Sequence, residues 1–366
     1  MRRIPDAVGR QLGLIFGLAT MAVFIPFGER WVGHLGGPGQ AAFFLLWLVA
    51  AILCSAFSVV RHADALAHRL GEPYGTLILT LSVTGMEVTM VTAMMVNGND
   101  APTLARDTMF AVIMIVLGGL VGSALLIGGV RHRLQEFNLD GANSFLSLII
   151  PLSLLGLVMP NFTTATSGPT FSPFQAVVIA GVCAGGYAIF LAIQTLRHRD
   201  FFEQGSAPHR PKIGQGPKLW VSIVLLIVSL VPVVFLAEQL ADVLDYAVHG
   251  LHLPTGVAGM IVASLILAPE GMGGVSAAAR NHLQRAVNLL LGSALATIAL
   301  TIPAVLVFGV LTHHEVILGL TPGDSVLLAV ILAVSLMTFS SGRTNVIQGA
   351  INILVFLVWV ALVFQH

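Results

Sequence analysis

The sequence predicts an all-α polytopic membrane protein with about eleven transmembrane helices. Hydrophobic residues make up 56% of the 366 residues and charged residues only 9%, which is too little charge to cover the surface of a soluble protein. Lys plus Arg and Asp plus Glu both number 17, so the net charge favours neither a nucleic-acid partner nor an acidic one. The predicted partner of this surface is therefore a lipid bilayer.

Apolar segments long enough to cross a bilayer recur along the whole chain. A spanning helix needs about 20 mostly apolar residues. Segments of this kind are predicted at 11–28, 40–60, 74–96, 107–130, 143–160, 174–196, 219–241, 255–276, 286–312, 324–340 and 344–364. The first apolar run lacks a small-residue cleavage site after it, so we interpret it as a span and not as a signal peptide.

Basic residues are distributed unevenly over the predicted loops. With the N-terminus in the cytoplasm, Arg30 and Arg106 are the only two of the 17 basic residues on the external side. Cytoplasmic loops collect Lys and Arg, so this bias predicts a cytoplasmic N-terminus and an external C-terminus. The same assignment places Arg61, His62 and Arg69 in a cytoplasmic loop.

The chain divides into two halves around a polar segment. Residues 198–218 read as a flexible cytoplasmic linker, residues 1–39 as the N-terminus with a leading helix, and 40–197 and 219–366 as two repeats. Each repeat holds five predicted spans, and an odd number makes the repeats face opposite ways, as in inverted-repeat transporters. Glu87 and Glu270 each lie in the second span of a repeat.

A carboxylate inside a membrane costs several kcal/mol unless it is paired, hydrated or protonated, so both glutamates are functional candidates. Thr84 shares a helical face with Glu87, and Pro269 and Gly271 flank Glu270. We expect helix breaks at Gly85, Pro269 and Gly271, which would free backbone carbonyls. Carbonyl and carboxylate oxygens suit Ca²⁺ or an alkali cation, so both glutamates are also predicted metal ligands.

Two structural alternatives remain open for these glutamates. Either carboxyl group could be protonated and bonded to a neighbouring helix, and Glu270 could lie at the cytoplasmic interface with its head group in water. Gln284 and Asn288 share one helical face, with Ser293 on a neighbouring stripe. These three side chains either line the ion path or make interhelical hydrogen bonds.

Proton and cation are expected to compete for the same carboxylates. Desolvation favours the protonated form of a carboxyl group, whereas a bound cation favours the ionised form. A doubly ionised empty site would be costly to carry across lipid, so the site reorients loaded with protons or with cation. Rocking of the two halves would then give alternating access.

Several short motifs resemble those of the Ca²⁺:cation antiporter superfamily, in particular the bacterial ChaA-type members of its Ca²⁺/H⁺ exchanger branch. The similarity runs from about Leu53 to Ile353. The segments that carry it are Arg61–Asp64, Leu66–Gly75, Gly128–Gly129, Gln135, Phe137–Asn138, Tyr187, Phe190, Gln194–Thr195, His198, Pro269–Gly271, Arg285–Ala286, Asn288, Gly292–Ser293, Gly342–Asn345 and Gly349.

This resemblance implies an exchanger of Ca²⁺, Na⁺ or K⁺ for protons in the bacterial inner membrane, with no cofactor. It implies that Glu87 and Glu270 carry the ions and that Gln284 and Asn288 lie nearby. One departure concerns the G-N-x-x-E pattern that precedes each key glutamate in many exchangers. Thr84 and Leu267 stand in place of its asparagines here.

Three alternatives compete with a Ca²⁺-transporting exchanger. The first is a Na⁺ or K⁺:proton antiporter with little Ca²⁺ activity, since a monovalent ion needs only one net charge exchanged. An intramembrane enzyme would need a Ser–His pair, paired aspartates or a zinc motif such as H-E-x-x-H, and the sequence contains none of these patterns in a span. A passive channel would not need mirrored carboxylates. The prediction is therefore a transporter and not an enzyme.

Overall fold

The computed structural model describes residues 11–70, 74–97, 102–194, 219–312 and 314–365. Eleven helices in this part of the chain account for every predicted span. They are α1 (Leu12–Val32), α2 (Pro38–Leu70), α3 (Tyr74–Asn97), α4 (Leu104–His132), α5 (Leu139–Phe162), α6 (Pro173–Ala192), α7 (Leu219–Gly250), α8 (Thr255–Ala279), α9 (Leu283–Thr312), α10 (Pro322–Thr338) and α11 (Val346–Val363). The predicted linker 198–218 and the N-terminal residues 1–10 lie outside the described residues.

The predicted all-helical polytopic fold is confirmed. Ten of the described helices are long and apolar enough to cross a membrane, and α10 is an apolar helix of 17 residues. One boundary prediction is wrong: α2 continues to Leu70, so Arg61 and His62 belong to the helix and not to a loop. His62 is buried, with 6% of its surface exposed. A run of good helix formers, Ala63 to Leu70, extends α2 beyond its apolar stretch.

Three helices contain a change of helical geometry. Helix α4 has a π-helical segment at Met114–Leu120, α5 continues from Leu154–Val158 as π-helix into a 3₁₀ turn at Met159–Phe162, and α7 ends in a π-helical turn at Tyr246–Gly250. The π-helical turns among them are of a kind that occurs frequently at functional sites. The hydropathy of the chain gave no sign of them, because it reports burial in lipid and not hydrogen-bond register.

Two compact units make up the chain, and they do not follow the two sequence halves. The first unit comprises Met1–Ala101 with Arg210–Leu253, and the second comprises Pro102–His209 with Pro254–His366. Each unit therefore takes segments from both sides of the linker. The division into 40–197 and 219–366 as inverted repeats stays a prediction.

The first unit packs α1, α2, α3 and α7. Gly17 of α1 lies between Ser55 of α2 and Pro232 of α7, and a larger residue there would collide with the Ser55 side chain. The hydroxyl groups of Ser58 and Ser229 lie 3.3 Å apart and join α2 to α7. Because small residues let helix backbones approach closely, these contacts are typical of packing inside a membrane.

The second unit packs α4 along α8, with α9, α5, α6, α10 and α11 around them. A Cβ atom on Gly259 of α8 would lie 2.6 Å from the carbonyl carbon of Asp107, and one on Gly271 would lie 2.8 Å from Leu120. The numbering rises along both helices between these contacts, so α4 and α8 run parallel. A short antiparallel ladder joins β1 (Gln135–Glu136) to β2 (Arg343–Thr344), with Gln135 opposite Thr344.

Candidate functional site

Helix α8 holds Glu270 near its middle. The predicted breaks at Pro269 and Gly271 are wrong, because α8 is a continuous helix from Thr255 to Ala279. A proline removes a single backbone donor, and packing against neighbouring helices keeps the helix intact. The missing donor still has a consequence, because the carbonyl of Leu265 loses the N–H group that residue 269 would otherwise offer it.

The surroundings of Glu270 are apolar and closely packed. The residue is 7% exposed, and no described residue donates a hydrogen bond to its buried Oε2 atom. Leu120, the last residue of the π-helical segment of α4, contacts Gly271, and Leu290 of α9 contacts Gly274. Buried polar atoms in proteins nearly always have a partner, so an acceptor without one indicates a place for a water, a proton or an ion.

Helix α3 holds Glu87 in the first unit. Glu87 is 2% exposed and Thr84, one turn earlier, is 3% exposed, so both side chains are buried. The predicted break at Gly85 is wrong, since α3 is helical from Tyr74 to Asn97. Gly85 is exposed and has nothing within 4 Å of a Cβ position, so neither packing nor backbone strain requires a break there.

The polar residues predicted to support Glu270 lie on α9. Gln284 is 5% exposed and donates a hydrogen bond to Asn288 Oδ1 at 2.8 Å. The backbone N–H of Asn138, at the start of α5, donates to Gln284 Oε1 at 2.5 Å. Ser293 is half-buried further along α9. Gln284 and Asn288 therefore belong to a network that includes the loop between α4 and α5.

Another residue of the same loop was not assigned a role from the sequence. Gln135 is 3% exposed and donates from Nε2 to the carbonyl of Ala278 and to Asn281 Oδ1, both at 3.0 Å. The signal that could have found it is the motif Gln135, Phe137, Asn138, which carried part of the family resemblance. Its position 143 residues from Ala278 in the chain concealed the contact.

Glu270 with Gln284, Asn288 and Ser293 lies in the second unit, and Glu87 with Thr84 lies in the first. Within the described ranges there is no cluster of three or more His, Cys, Asp or Glu side chains that could hold a metal ion. The Glu270 carboxylate and the carbonyl of Leu265 on the same helix, which lacks its helical donor, are nevertheless both hard oxygen ligands. Such an arrangement suits a transported ion that binds transiently better than an ion that stays bound.

A polytopic helical protein with buried carboxylates inside its spans defines the class of membrane ion transporters. The chain belongs to the sodium/calcium exchanger protein family, which it matches over residues 40–196 and 221–365. These two matched stretches fall on either side of the predicted linker.

Individual relatives agree with this membership. The chain is 40% identical over 362 residues to the sodium-potassium/proton antiporter ChaA of Escherichia coli, covering 97% of this chain and 96% of that protein. It is 23% identical over 369 residues to a Ca²⁺/H⁺ antiporter of Synechocystis, covering 95% and 96%. The solved structure of native YfkE matches its fold with a TM-score of 0.71 at 17% identity, covering 96% of this chain and 100% of that one. The predicted family and fold are thus confirmed.

Proposed function

We propose that this protein exchanges cytoplasmic Ca²⁺, and also Na⁺ or K⁺, for protons across the bacterial inner membrane. The observation that carries the proposal is the buried Glu270, whose Oε2 atom accepts no hydrogen bond from any described residue. Family membership and relatives named as cation/proton antiporters support the exchange reaction itself. In this proposal Glu87 and Glu270 bind cation and protons alternately.

Charge balance explains why transport by these glutamates would be an exchange. Two protonated carboxyl groups are neutral, and two carboxylates with one Ca²⁺ are neutral as well. An empty, doubly ionised state is disfavoured where the protein excludes water, because neither charge is compensated. Reorientation of the loaded forms alone couples cation export to proton import, and alternating access completes the cycle.

A second candidate is a Na⁺ or K⁺:proton antiporter with little Ca²⁺ activity. Two observations favour it. The relative at 40% identity is named for sodium and potassium. Thr84 and Leu267 occupy positions where many exchangers supply an amide oxygen, and Leu267 is an apolar residue only 1% exposed. A monovalent cation balances the charge of only one carboxylate, so the other glutamate stays protonated in this variant of the mechanism.

The same reasoning argues against an enzyme or a passive channel. The chemistry of an enzyme must come from its site, and the sequence carries no Ser–His pair, paired aspartates or zinc motif within a span. A passive channel would not need mirrored carboxylates, and its flux would not depend on a proton gradient. We place the N-terminus in the cytoplasm and the C-terminus outside, on the support of the uneven distribution of basic residues.

The experiment is cation-induced collapse of a proton gradient in proteoliposomes, with Ca²⁺, Na⁺ and K⁺ added separately. Wild type is compared with Glu87→Gln and Glu270→Gln, and with Glu315→Gln, which alters an exposed glutamate in a loop. We expect both buried-site variants to lose activity and Glu315→Gln to retain it. The responding cation decides between the two candidates. A wild-type protein that moves no protons with any of the three cations would falsify the proposal.

A further inference from the structure

The loop between α4 and α5 bonds to the end of the helix that carries Glu270. Gln135 donates to the carbonyl of Ala278, and His132 Nε2 lies 3.2 Å from the carbonyl of Ala279, which Arg131 also approaches at 3.4 Å. The last carbonyls of a helix have no partner within the helix. The backbone N–H groups of Asn281 and His282 already bond to the carbonyls of Ala278 and Ala277. The last turn of α4 and the loop after it add side-chain partners for Ala278 and Ala279, which tie the end of α8 to this segment.

The geometry around Gln135 leaves its side chain little freedom. A Cβ atom on Gly128 of α4 would collide with Gln135 Oε1, so a larger residue there would displace the Gln135 amide. Asn281, whose Oδ1 accepts the second bond from Gln135, has a φ of 63°, a conformation in which asparagine is one of the favoured residues. Because the carbonyl oxygen of Ala278 can only accept a hydrogen bond, the Gln135 amide must turn its NH₂ group toward it.

The same loop also bonds to the start of α9. The N–H of Asn138 donates to Gln284, and Gln284 donates in turn to Asn288 one turn further along. The loop itself is held in place by the ladder between β1 and β2 and by an edge-to-face contact between Phe137 and Phe339, with ring centroids 5.4 Å apart. Two neighbouring hydrogen-bonded groups therefore tie this loop to α8 and α9: Gln135 bonds to Asn281, and Asn138 bonds to Gln284, which bonds in turn to Asn288. We name the five residues Gln135, Asn138, Asn281, Gln284 and Asn288 the polar clasp.

We propose that the polar clasp is a positioning device that sets the placement of Glu270 relative to Asn288, and that Gln135 is its central positioning residue. The proposal rests on the proposed exchange function, because it concerns the affinity of the same carboxylate for its cation. Glu270 lies eight residues before Ala278, a distance of about 12 Å along a helix. A shift or rotation at the end of α8 is therefore transmitted to the Glu270 oxygens.

Groups that do not contact a metal ion but orient its ligands typically weaken metal affinity about 10- to 100-fold when they are removed. Loss of the Gln135 amide removes the buried side-chain donor that ties Ala278 and Asn281 to the loop, although the Asn281 N–H still bonds to the carbonyl of Ala278. We therefore expect a weaker apparent cation affinity in a protein whose fold and amount in the membrane are retained.

The test compares Gln135→Met, which keeps the length of the side chain but removes its donor, with Asn281→Gly, which keeps the positive φ and removes the acceptor. Glu136→Gln is the matched control, because it removes an exposed ion pair with Arg343 in the same loop. Each protein is titrated with Ca²⁺, Na⁺ and K⁺ in the proton-flux assay. The same titrations are repeated as cation-dependent thermal stabilisation of the purified protein, which does not require proton movement.

We expect Gln135→Met to raise the KM for the transported cation about tenfold or more, with a smaller rise for Asn281→Gly and none for Glu136→Gln. The maximal rate should fall less than the affinity. An unchanged KM and unchanged thermal titration in Gln135→Met overturn the positioning role. A lower melting temperature with wild-type affinity in the folded fraction overturns it too, because it assigns Gln135 to stability alone.

The two proposals fail in different ways. A wild-type protein that moves no protons overturns the exchange function, while the thermal titrations still decide whether Gln135 sets cation affinity. A wild-type protein with exchange activity, beside a Gln135→Met variant with identical affinity in both assays, overturns the clasp alone.

Discussion

Helices α3 and α8 both carry a buried glutamate in the second span of a sequence half, yet they pack differently within their units. In α8, 61% of the most apolar stretch is buried, against 39% in α3. The glycines of α8 contact neighbouring helices at Asp107, Leu120 and Leu290, whereas Gly85 of α3 has open space around it. Within its own unit, the Glu270 helix is therefore fixed by contacts, and the Glu87 helix retains room to adjust.

This difference teaches that a repeated sequence position does not bring a repeated environment. Both glutamates are almost fully buried, at 2% and 7% exposure. Only Glu270 has, on the same helix, a proline that leaves a carbonyl without its helical donor. Substitutions that change the packing of one helix and not the other test this difference.

The largest effect on stability is expected from Gly259→Ala. The new Cβ would lie 2.6 Å from backbone atoms of Asp107, which cannot move without shifting α4. Overpacking of this kind costs about 1–3 kcal/mol, so the melting temperature of the purified protein should fall.

The matched control is Gly85→Ala in α3, where nothing lies within 4 Å of the new Cβ. Alanine is the better helix former by about 1 kcal/mol, so this variant should melt at the wild-type temperature or slightly above it. An equal fall in melting temperature in Gly259→Ala and Gly85→Ala would show that α8 and α3 are packed alike.

A smaller effect is expected from Pro269→Ala, and it concerns affinity. The substitution supplies an N–H to the carbonyl of Leu265, which makes that oxygen a poorer ligand for a cation. If the carbonyl contacts the cation, a loss of about 1.4 kcal/mol of binding free energy weakens the apparent affinity for the cation about tenfold. The apparent affinity is measured by recording proton flux at increasing concentrations of the cation.

Pro303→Ala makes the same backbone change in α9 and serves as the control. It should leave the apparent affinity unchanged, and neither variant should lose stability, because alanine replaces proline inside a helix. Wild-type affinity in Pro269→Ala would mean that the Leu265 carbonyl takes no part in binding the cation.

Much of the fold could be predicted from the sequence because the thickness of a bilayer sets the length of each apolar run. All eleven helices were found in this way. The predicted breaks failed for two physical reasons. Neighbouring helices hold α8 together at Pro269 and Gly271, whereas a single glycine such as Gly85 costs a helix only about 1 kcal/mol and does not end it. The end of α2 was missed because Ala63–Leu70 is helical without being apolar throughout.

The candidate site was only partly accessible from the sequence. Glu87 and Glu270 stood out because a carboxylate in an apolar run is costly. Gln135 did not, since a glutamine in a short polar loop is unremarkable until its contact with Ala278 is seen. The π-helical segment of α4 was equally hidden, as it reflects hydrogen-bond register and packing against α8.

The most direct test of the central claim is proton release when a cation binds to the purified protein in weakly buffered detergent solution. Wild type should release protons on addition of the transported cation, and Glu270→Gln and Glu87→Gln should release fewer. Glu315→Gln should behave as wild type. Cation binding without proton release, or equal release from Glu270→Gln, would show that cation and proton do not compete for these carboxylates and would contradict the account.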